Sequence, residues 1–415
     1  MRMLIRGKAT LNGQIEVSSS KNAILPILAA SILTDSEIEL AKVPKINDVT
    51  IIGTLLEQLG KQISKQDKKM VLSGKVISHH PPYDLVRQIR ASVLVMGPLL
   101  ARLGKVRVAL PGGCAIGSRP IDLHLKGFHA LGAEINLRSG DLIAKATNGL
   151  RGAHVYLDYP SVGATENVMM AAAMADGLSY IENAALEPEI VDLANFINRM
   201  GGKISGAGTN VIKVEGVKEF KGVKYVPIPD RIEAGTYMVA VAATKGEARI
   251  NNVIPEHLKA VTAKLIESGA EVIENRNHVE VRRVSKIKPV YIKTLPYPGF
   301  PTDMQAQFMA YLSRAQGSSI ISESVFENRF MHVQELCRMG ADIKSEGKIA
   351  IIKGAKKLTG AQVKASDLRA GAALVIAALM AQGNTILLES QHVDRGYEDI
   401  AAKLNAMGAQ IDSEP

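Results

Sequence analysis

A glycine that ends a helix and is followed at once by a strand recurs six times along this chain. The copies are Leu59-Gly60-Lys61, Leu131-Gly132-Ala133, Met200-Gly201-Gly202, Ser268-Gly269-Ala270, Met339-Gly340-Ala341 and Met407-Gly408-Ala409, and successive glycines stand 72, 69, 68, 71 and 68 residues apart. A fixed period of this length means one supersecondary unit copied six times. Ahead of these run six Ala-, Met- and Leu-rich segments, 23–33, 92–103, 168–175, 237–243, 305–315 and 370–382, five of which pass into a strand through Gly104, Gly177, Gly246, Gly317 and Gly383. Each unit therefore reads strand, buried helix, strand, amphipathic helix, glycine, strand. Helices that are apolar all round must be enclosed, whereas the second kind, such as 192–200, carries charge on one side and is expected to face outward. One unit cannot cover its own apolar helix, but three together can. Six units predict two similar α/β domains, with ligands in the cleft between them.

Composition narrows the class of function. Of 415 residues 47% are hydrophobic, ample for large cores. Two cysteines provide no disulfide framework and suit a reducing compartment. The start has no signal-like segment, and no uninterrupted apolar run reaches the ~18 residues of a membrane span. These features predict a cytoplasmic protein with no membrane insertion, and no obligate protein partner is evident. The net charge of +9 calls for anionic partners. Aromatic residues are only 4%, Trp is absent and the basic residues are evenly spread, which argues against nucleic acid and for small anionic substrates.

The chemistry-bearing residues gather where the buried helices begin. Ser18-Ser19-Ser20-Lys21 precedes the first, with the serines as cap candidates and Lys21 at the opening turn, where unpaired N–H groups and a lysine would make an anion site. Arg87 and Arg90, three apart, are expected to share a face before the second. The stretch Pro111 to Pro120 holds three glycines between two prolines and reads as a loop. Within it Cys114 stands five residues before Arg119, and a guanidinium near an accessible thiol describes a reactive cysteine. The loop has the glycine spacing of a phosphate-binding P-loop, but Ser118 stands where the lysine must be, which excludes that kind of ATP site. Asp122, His124 and Lys126 follow; a lone histidine makes a ligand contact at most. Ser161 to Glu166 opens the third buried helix, Asp230 to Thr236 the fourth, and Thr302-Asp303 the fifth. There Thr302 reads as a cap, and Asp303 serves either the helix terminus or as a base beside a cleft. Glu187 and Glu189 read as capping residues, and Asp394-Arg395 as a surface ion pair. Cys337, inside the segment 335–339, reads as a packing residue.

Over essentially its whole length the sequence resembles the bacterial UDP-N-acetylglucosamine enolpyruvyl transferases. The likeness rests on Ser20-Lys21-Asn22-Ala23, Pro111 to Leu123, Ser161-Val162-Gly163-Ala164-Thr165, Pro229-Asp230-Arg231-Ile232-Glu233, Pro301-Thr302-Asp303-Met304-Gln305, Val325 to Phe330, Asp367-Leu368-Arg369-Ala370 and Asp394-Arg395-Gly396-Tyr397. It implies an inside-out α/β barrel, two domains of three repeated units each. One domain is 21–229, carrying Cys114. The other is 1–20 with 230–415, carrying Asp303, Arg329, Asp367, Arg369 and Arg395.

The implied reaction transfers the enolpyruvyl group of phosphoenolpyruvate to the 3′-hydroxyl of UDP-N-acetylglucosamine, releasing phosphate, as the first committed step of peptidoglycan synthesis. It needs neither cofactor nor metal. The resemblance makes Cys114 the proton donor to C3 and the site of adducts with phosphoenolpyruvate and epoxide antibiotics. Lys21, Asn22, Arg119 and Arg395 would hold phosphoenolpyruvate. Arg90, Arg119, Pro120, Ile121, Asp122, Leu123, Ser161, Val162, Asp303 and Val325 would meet the nucleotide sugar, with Asp303 taking the hydroxyl proton. Asp230, Arg329, Asp367 and Arg369 would support them. One departure is visible: Tyr159-Pro160 stands where some members carry Lys-Val. The sister reaction on shikimate 3-phosphate is the nearest alternative, and a catalytically silent nucleotide-sugar sensor another.

Overall fold

The computed structural model describes residues 1–109, 121–138, 140–282 and 286–414, and only the backbone of Arg90. The chain divides into two compact units, one made of Met1–Ser18 with the residues from Pro229 onward, the other of the described residues between Ser19 and Ile228. Each has its own hydrophobic core.

The repeat is explicit in the sheets. Among the described residues there are six, five of four strands and one of three. His154–Tyr156, Leu178–Glu182, Val211–Glu215 and Lys203–Ser205 illustrate the unit: the first pair is parallel, joined through the buried helix Val162–Ala172, and the remaining pairs are antiparallel. In the three-stranded sheet the Arg107 N–H donates to the His79 carbonyl, so that segment stands where a fourth strand would lie. Two strands are exchanged. Asn12–Glu16 precedes the first buried helix yet pairs with Glu247–Asn251, while Val223–Tyr225 precedes the fourth and pairs with Ile38–Leu40. The N-terminal strand Arg2–Arg6 lies between Asn384–Leu388 and Ile411–Glu414, completing the last sheet.

All six repeat glycines have positive φ, between 91° and 112°. At each, the glycine N–H returns to the carbonyl three residues back and the next N–H to the carbonyl five back, as in Gly60 to Glu57 and Lys61 to Leu56. This double closure satisfies the last carbonyls of the outer helix and turns the chain into the next strand.

The apolar helices are enclosed as their composition demands. Twelve of thirteen residues are buried in Arg231–Ala243 and eleven of thirteen in Leu368–Met380, and these two pack on each other and on Gln305–Leu312. In the other unit Met96–Leu103 packs on Val162–Ala172 so closely that a Cβ at Gly97 would come within 2.2 Å of the Asn167 carbonyl oxygen.

The outer helices are less uniform than expected. Lys259–Glu267 buries only three residues, but Pro188–Arg199 buries eight, among them Asp192. The Asp192 carboxylate turns inward and accepts from the Tyr225 hydroxyl at 2.6 Å and the Ile228 N–H at 3.2 Å. Burial pushes this carboxyl up to about 6, against the pull of those two hydrogen bonds. Its folded value therefore lies above the ordinary 3.8. As pH falls from 7.5 to 5 the native state takes up a proton that the unfolded chain does not, and the native state gains; the gain is lost as pH rises through 6. Asp192→Asn removes this dependence. Urea midpoints of the two proteins should diverge in favour of the wild type on acidification, and a constant difference would refute the assignment.

Candidate active site

Asp303 is the best-defined centre. It lies in the single turn Thr302–Met304 that leads into Gln305–Leu312, with its side chain about a quarter exposed. Arg329 Nη2 donates to Oδ1 at 2.7 Å and Arg369 Nη2 to Oδ2 at 2.9 Å. Both arginine side chains are only 5% exposed, so these are desolvated, charge-assisted bonds. The Arg329 guanidinium lies over the Phe326 ring and that of Arg369 over the Tyr397 ring, at 5.3 and 5.4 Å. Burial opposes the charge on Arg369, but the Asp303 carboxylate together with Tyr397 and Asp230 outweighs it and holds the guanidinium firmly protonated.

The neighbouring turns are pinned by capping. Asp367 accepts from the N–H groups of Arg369 and Ala370, and Asp230 from those of Ile232 and Glu233, each closing the start of a buried helix. Thr302 is not the cap it was expected to be. Pro301 holds that position, and the Thr302 hydroxyl instead donates to Glu323 Oε2 at 2.9 Å. Glu323 also accepts, on Oε1, from Thr294 Oγ1 and from the N–H groups of Val325 and Phe326. One buried carboxylate thus ties the approach to Asp303 to the turn bearing Val325 and Phe326. His332, 1% exposed, is pushed down to about 4 by burial and the Arg329 charge, against the pull of Asp367, so it stays neutral near Arg329. Arg395 ends the short turn Ser390–Arg395 and is half-buried.

In the other unit Lys21 is the first residue of Lys21–Ala30, and its ammonium pairs with Asp48 in the opening turn of Asn47–Gln58 at 2.7 Å. Ser20 occupies the cap position without a side-chain cap bond. Asn22 follows Lys21 and is half-buried. Ser161 caps Val162–Ala172 by accepting from the Ala164 N–H. Asp122 and Leu123 open Asp122–Ala130, which packs on that helix, and Ile121 stands just before it.

Asn167 joins these elements. Its Oδ1 accepts from the Gly97 N–H, and its Nδ2 donates to the Val93 carbonyl and to His124 Nδ1. His124 is thus a buried link between helices. Arg87 and Arg90 do not share a helix face: the helix Tyr83–Gln88 ends before an extended Ile89, and Arg90 begins a separate turn. Cys337 is exposed, not packed, with Sγ 3.7 Å from the Ile343 carbonyl. Glu187 precedes Pro188–Arg199 without a side-chain cap bond.

Cys114, Arg119 and Pro120 lie outside the described residues. Sequence reasoning missed Asp48, Asn167 and Glu323. Asn167 and Glu323 are buried polar residues beside apolar runs, which is the one local sign available. Among the described residues no group of three His, Cys, Asp or Glu side chains is arranged to hold a metal ion, and no helix is long and apolar enough to cross a membrane.

Residues 5–404 match the family model of EPSP synthase (3-phosphoshikimate 1-carboxyvinyltransferase). The chain is 56% identical over 414 residues to UDP-N-acetylglucosamine 1-carboxyvinyltransferase 2 of Carboxydothermus hydrogenoformans, covering 99% of each. It is 51% identical over 415 residues to the corresponding enzyme 1 of Staphylococcus aureus, again covering 99% of each. Among solved structures, the enolpyruvyl transferase NikO from Streptomyces tendae superposes with a TM-score of 0.88 at 23% identity, covering 99% of this chain and 98% of that one. EPSP synthase from Acinetobacter baumannii does so at 0.77 and 15% over the full length of both. These two likenesses establish the fold, an α/β barrel with its helices inside.

Proposed function

The chain belongs to the EPSP synthase family, on its UDP-N-acetylglucosamine 1-carboxyvinyltransferase branch, and from that premise we propose how its residues carry the reaction. The protein transfers the enolpyruvyl group of phosphoenolpyruvate to the 3′-hydroxyl of UDP-N-acetylglucosamine and releases phosphate. A proton is added at C3 of phosphoenolpyruvate while the hydroxyl oxygen attacks C2 and gives up its own proton. The tetrahedral intermediate then loses a proton from C3 and expels phosphate, which restores the double bond. The arrangement that most supports this reading is the Asp303 carboxylate. It is oriented by two buried guanidiniums, yet about a quarter exposed.

An ionised carboxylate only accepts hydrogen bonds, and a side chain about a quarter exposed can be reached by the acceptor hydroxyl, so Asp303 is suited to take its proton. Lys21, Asn22, Arg119 and Arg395 hold the phosphate and carboxylate of phosphoenolpyruvate, and Cys114 delivers the proton to C3. Lys21 suits its part: Asp48 holds its ammonium in place at the start of a helix, where an anion is favoured. Arg90, Arg119, Pro120, Ile121, Asp122, Leu123, Ser161, Val162 and Val325 meet the nucleotide sugar. The Asn167 hydrogen bonds hold several of these elements in register. A cytoplasmic location follows in this reading, supported by the low cysteine content.

The test is phosphate release from phosphoenolpyruvate with each of two acceptors. UDP-N-acetylglucosamine should support turnover and shikimate 3-phosphate should not. Release with the shikimate acceptor, or with neither from folded protein, would overturn the reading.

A further inference from the structure

Beneath Asp303 lies a buried polar group that the reaction as described does not use. Gln307, one helical turn on, places Nε2 2.9 Å from the Asp303 backbone carbonyl, 3.1 Å from Thr236 Oγ1 and 3.3 Å from Tyr397 Oη. Thr236 Oγ1 lies 2.7 Å from the Ile232 carbonyl and 2.9 Å from Tyr397 Oη. A carbonyl only accepts, so the single threonine proton goes to Ile232 and the tyrosine must donate to Thr236. Tyr397 Oη is then left as an acceptor for Gln307. Of the two Gln307 Nε2 protons, one goes to the Asp303 carbonyl and the other is shared between Thr236 Oγ1 and Tyr397 Oη.

The glutamine is fixed the same way. Turning its amide over would set Oε1 against the Asp303 carbonyl, acceptor against acceptor, so Nε2 stays where it is. In this orientation Gln307 Oε1 is buried with no hydrogen-bond partner. An apolar residue of the same size would leave no orphaned acceptor, so packing alone does not account for a glutamine here. Tyr397 meanwhile carries the Arg369 guanidinium on its ring face, and that guanidinium holds Asp303 Oδ2. Two arms therefore converge on one residue, the amide of Gln307 on its main chain and the ring of Tyr397, through Arg369, on its carboxylate.

We propose that Gln307 and Tyr397, locked by Thr236, are positioning residues that set the angle at which Asp303 meets the acceptor hydroxyl. This rests on Asp303 being the base. Gln307→Met should lower kcat about tenfold with both KM values within about twofold, because sub-ångström misplacement acts on the chemical step rather than on binding. Tyr397→Leu, which removes platform and hydroxyl, should do the same, while Tyr397→Phe keeps the ring under Arg369 but not the hydroxyl bonds to Thr236 and Gln307, and should recover part of the rate.

The deciding measurement is the double variant. In an Asp303→Asn background Gln307→Met should cause no further loss of the residual rate, since groups that act through one another are not additive. A Gln307→Met enzyme with wild-type kcat, or an equal further loss in the Asp303→Asn background, would overturn the proposal. So would equal rates for the Phe and Leu variants, a contrast that carries the test alone if Gln307→Met does not fold. Full turnover by Asp303→Asn itself would instead sink the reading of Asp303 as base.

Discussion

Asp303→Asn is expected to lower kcat by about 10³-fold, within the range of a lost general base, while both KM values stay near wild type. Asparagine has the same shape and keeps one carbonyl oxygen for a guanidinium, so the turn Thr302–Met304 survives. What it loses is the negative charge and the capacity to accept a proton. The hydroxyl of a sugar is a weak acid, and its oxygen attacks C2 only as its proton departs, so the loss falls on the chemical step. A second effect has a different readout. Arg329 and Arg369 are buried charges whose shared counter-ion disappears, and breaking such a pair by removing one partner typically destabilises by about 3 kcal/mol. Stability should therefore fall along with turnover, and urea unfolding beside the phosphate-release assay separates the two. An Asp303→Asn enzyme within tenfold of wild-type kcat would show that the carboxylate does not take the proton.

What was legible in the sequence follows from the range of the interactions concerned. The closing glycines were visible because a helix end is a local event: all six have positive φ, and no residue further than five positions away takes part. The enclosed helices were visible because a segment apolar on every side has no face to offer water. By contrast, Thr302 has the composition of a cap and is drawn instead to Glu323, 21 residues away in sequence. Asp192 looks like the charged side of an outer helix, yet its oxygens find Tyr225 and Ile228 in the interior, a pairing no local pattern encodes. The exchange of Asn12–Glu16 and Val223–Tyr225 has the same origin. Asn12–Glu16 buries only Ile15 and Val223–Tyr225 only Tyr225, so neither strand carries a pattern that says which sheet it joins. The candidate site divides along this line. Asp303, Asp367 and Asp230 stand at helix starts and could be read from position. Asp48, Asn167 and Glu323 act by satisfying groups on other elements, and only the assembled fold shows which groups those are.

Cys114→Ser is expected to reduce turnover by at least about 10²-fold, and Cys114→Asp to retain it, because the part assigned to this residue is to supply a proton to carbon. C3 of an enol phosphate is a weak base, so its protonation needs an acid that still holds its proton yet parts with it readily. A serine hydroxyl is far too weak an acid, while a carboxyl can cycle between both forms. If the covalent adduct with phosphoenolpyruvate were a required intermediate, the aspartate variant would fail, since it lacks the thiolate nucleophile. The same variant should be insensitive to thiol alkylation, which distinguishes loss of the sulfur from loss of the fold. Exposed Cys337 complicates that comparison, because reagent will label it as well. The measurement therefore belongs in a Cys337→Ala background, where one equivalent of label in the parent and none in Cys114→Asp is the expected result. A Cys114→Asp protein that folds and binds both substrates but releases no phosphate would make the sulfur itself, rather than its proton, the indispensable part of the reaction.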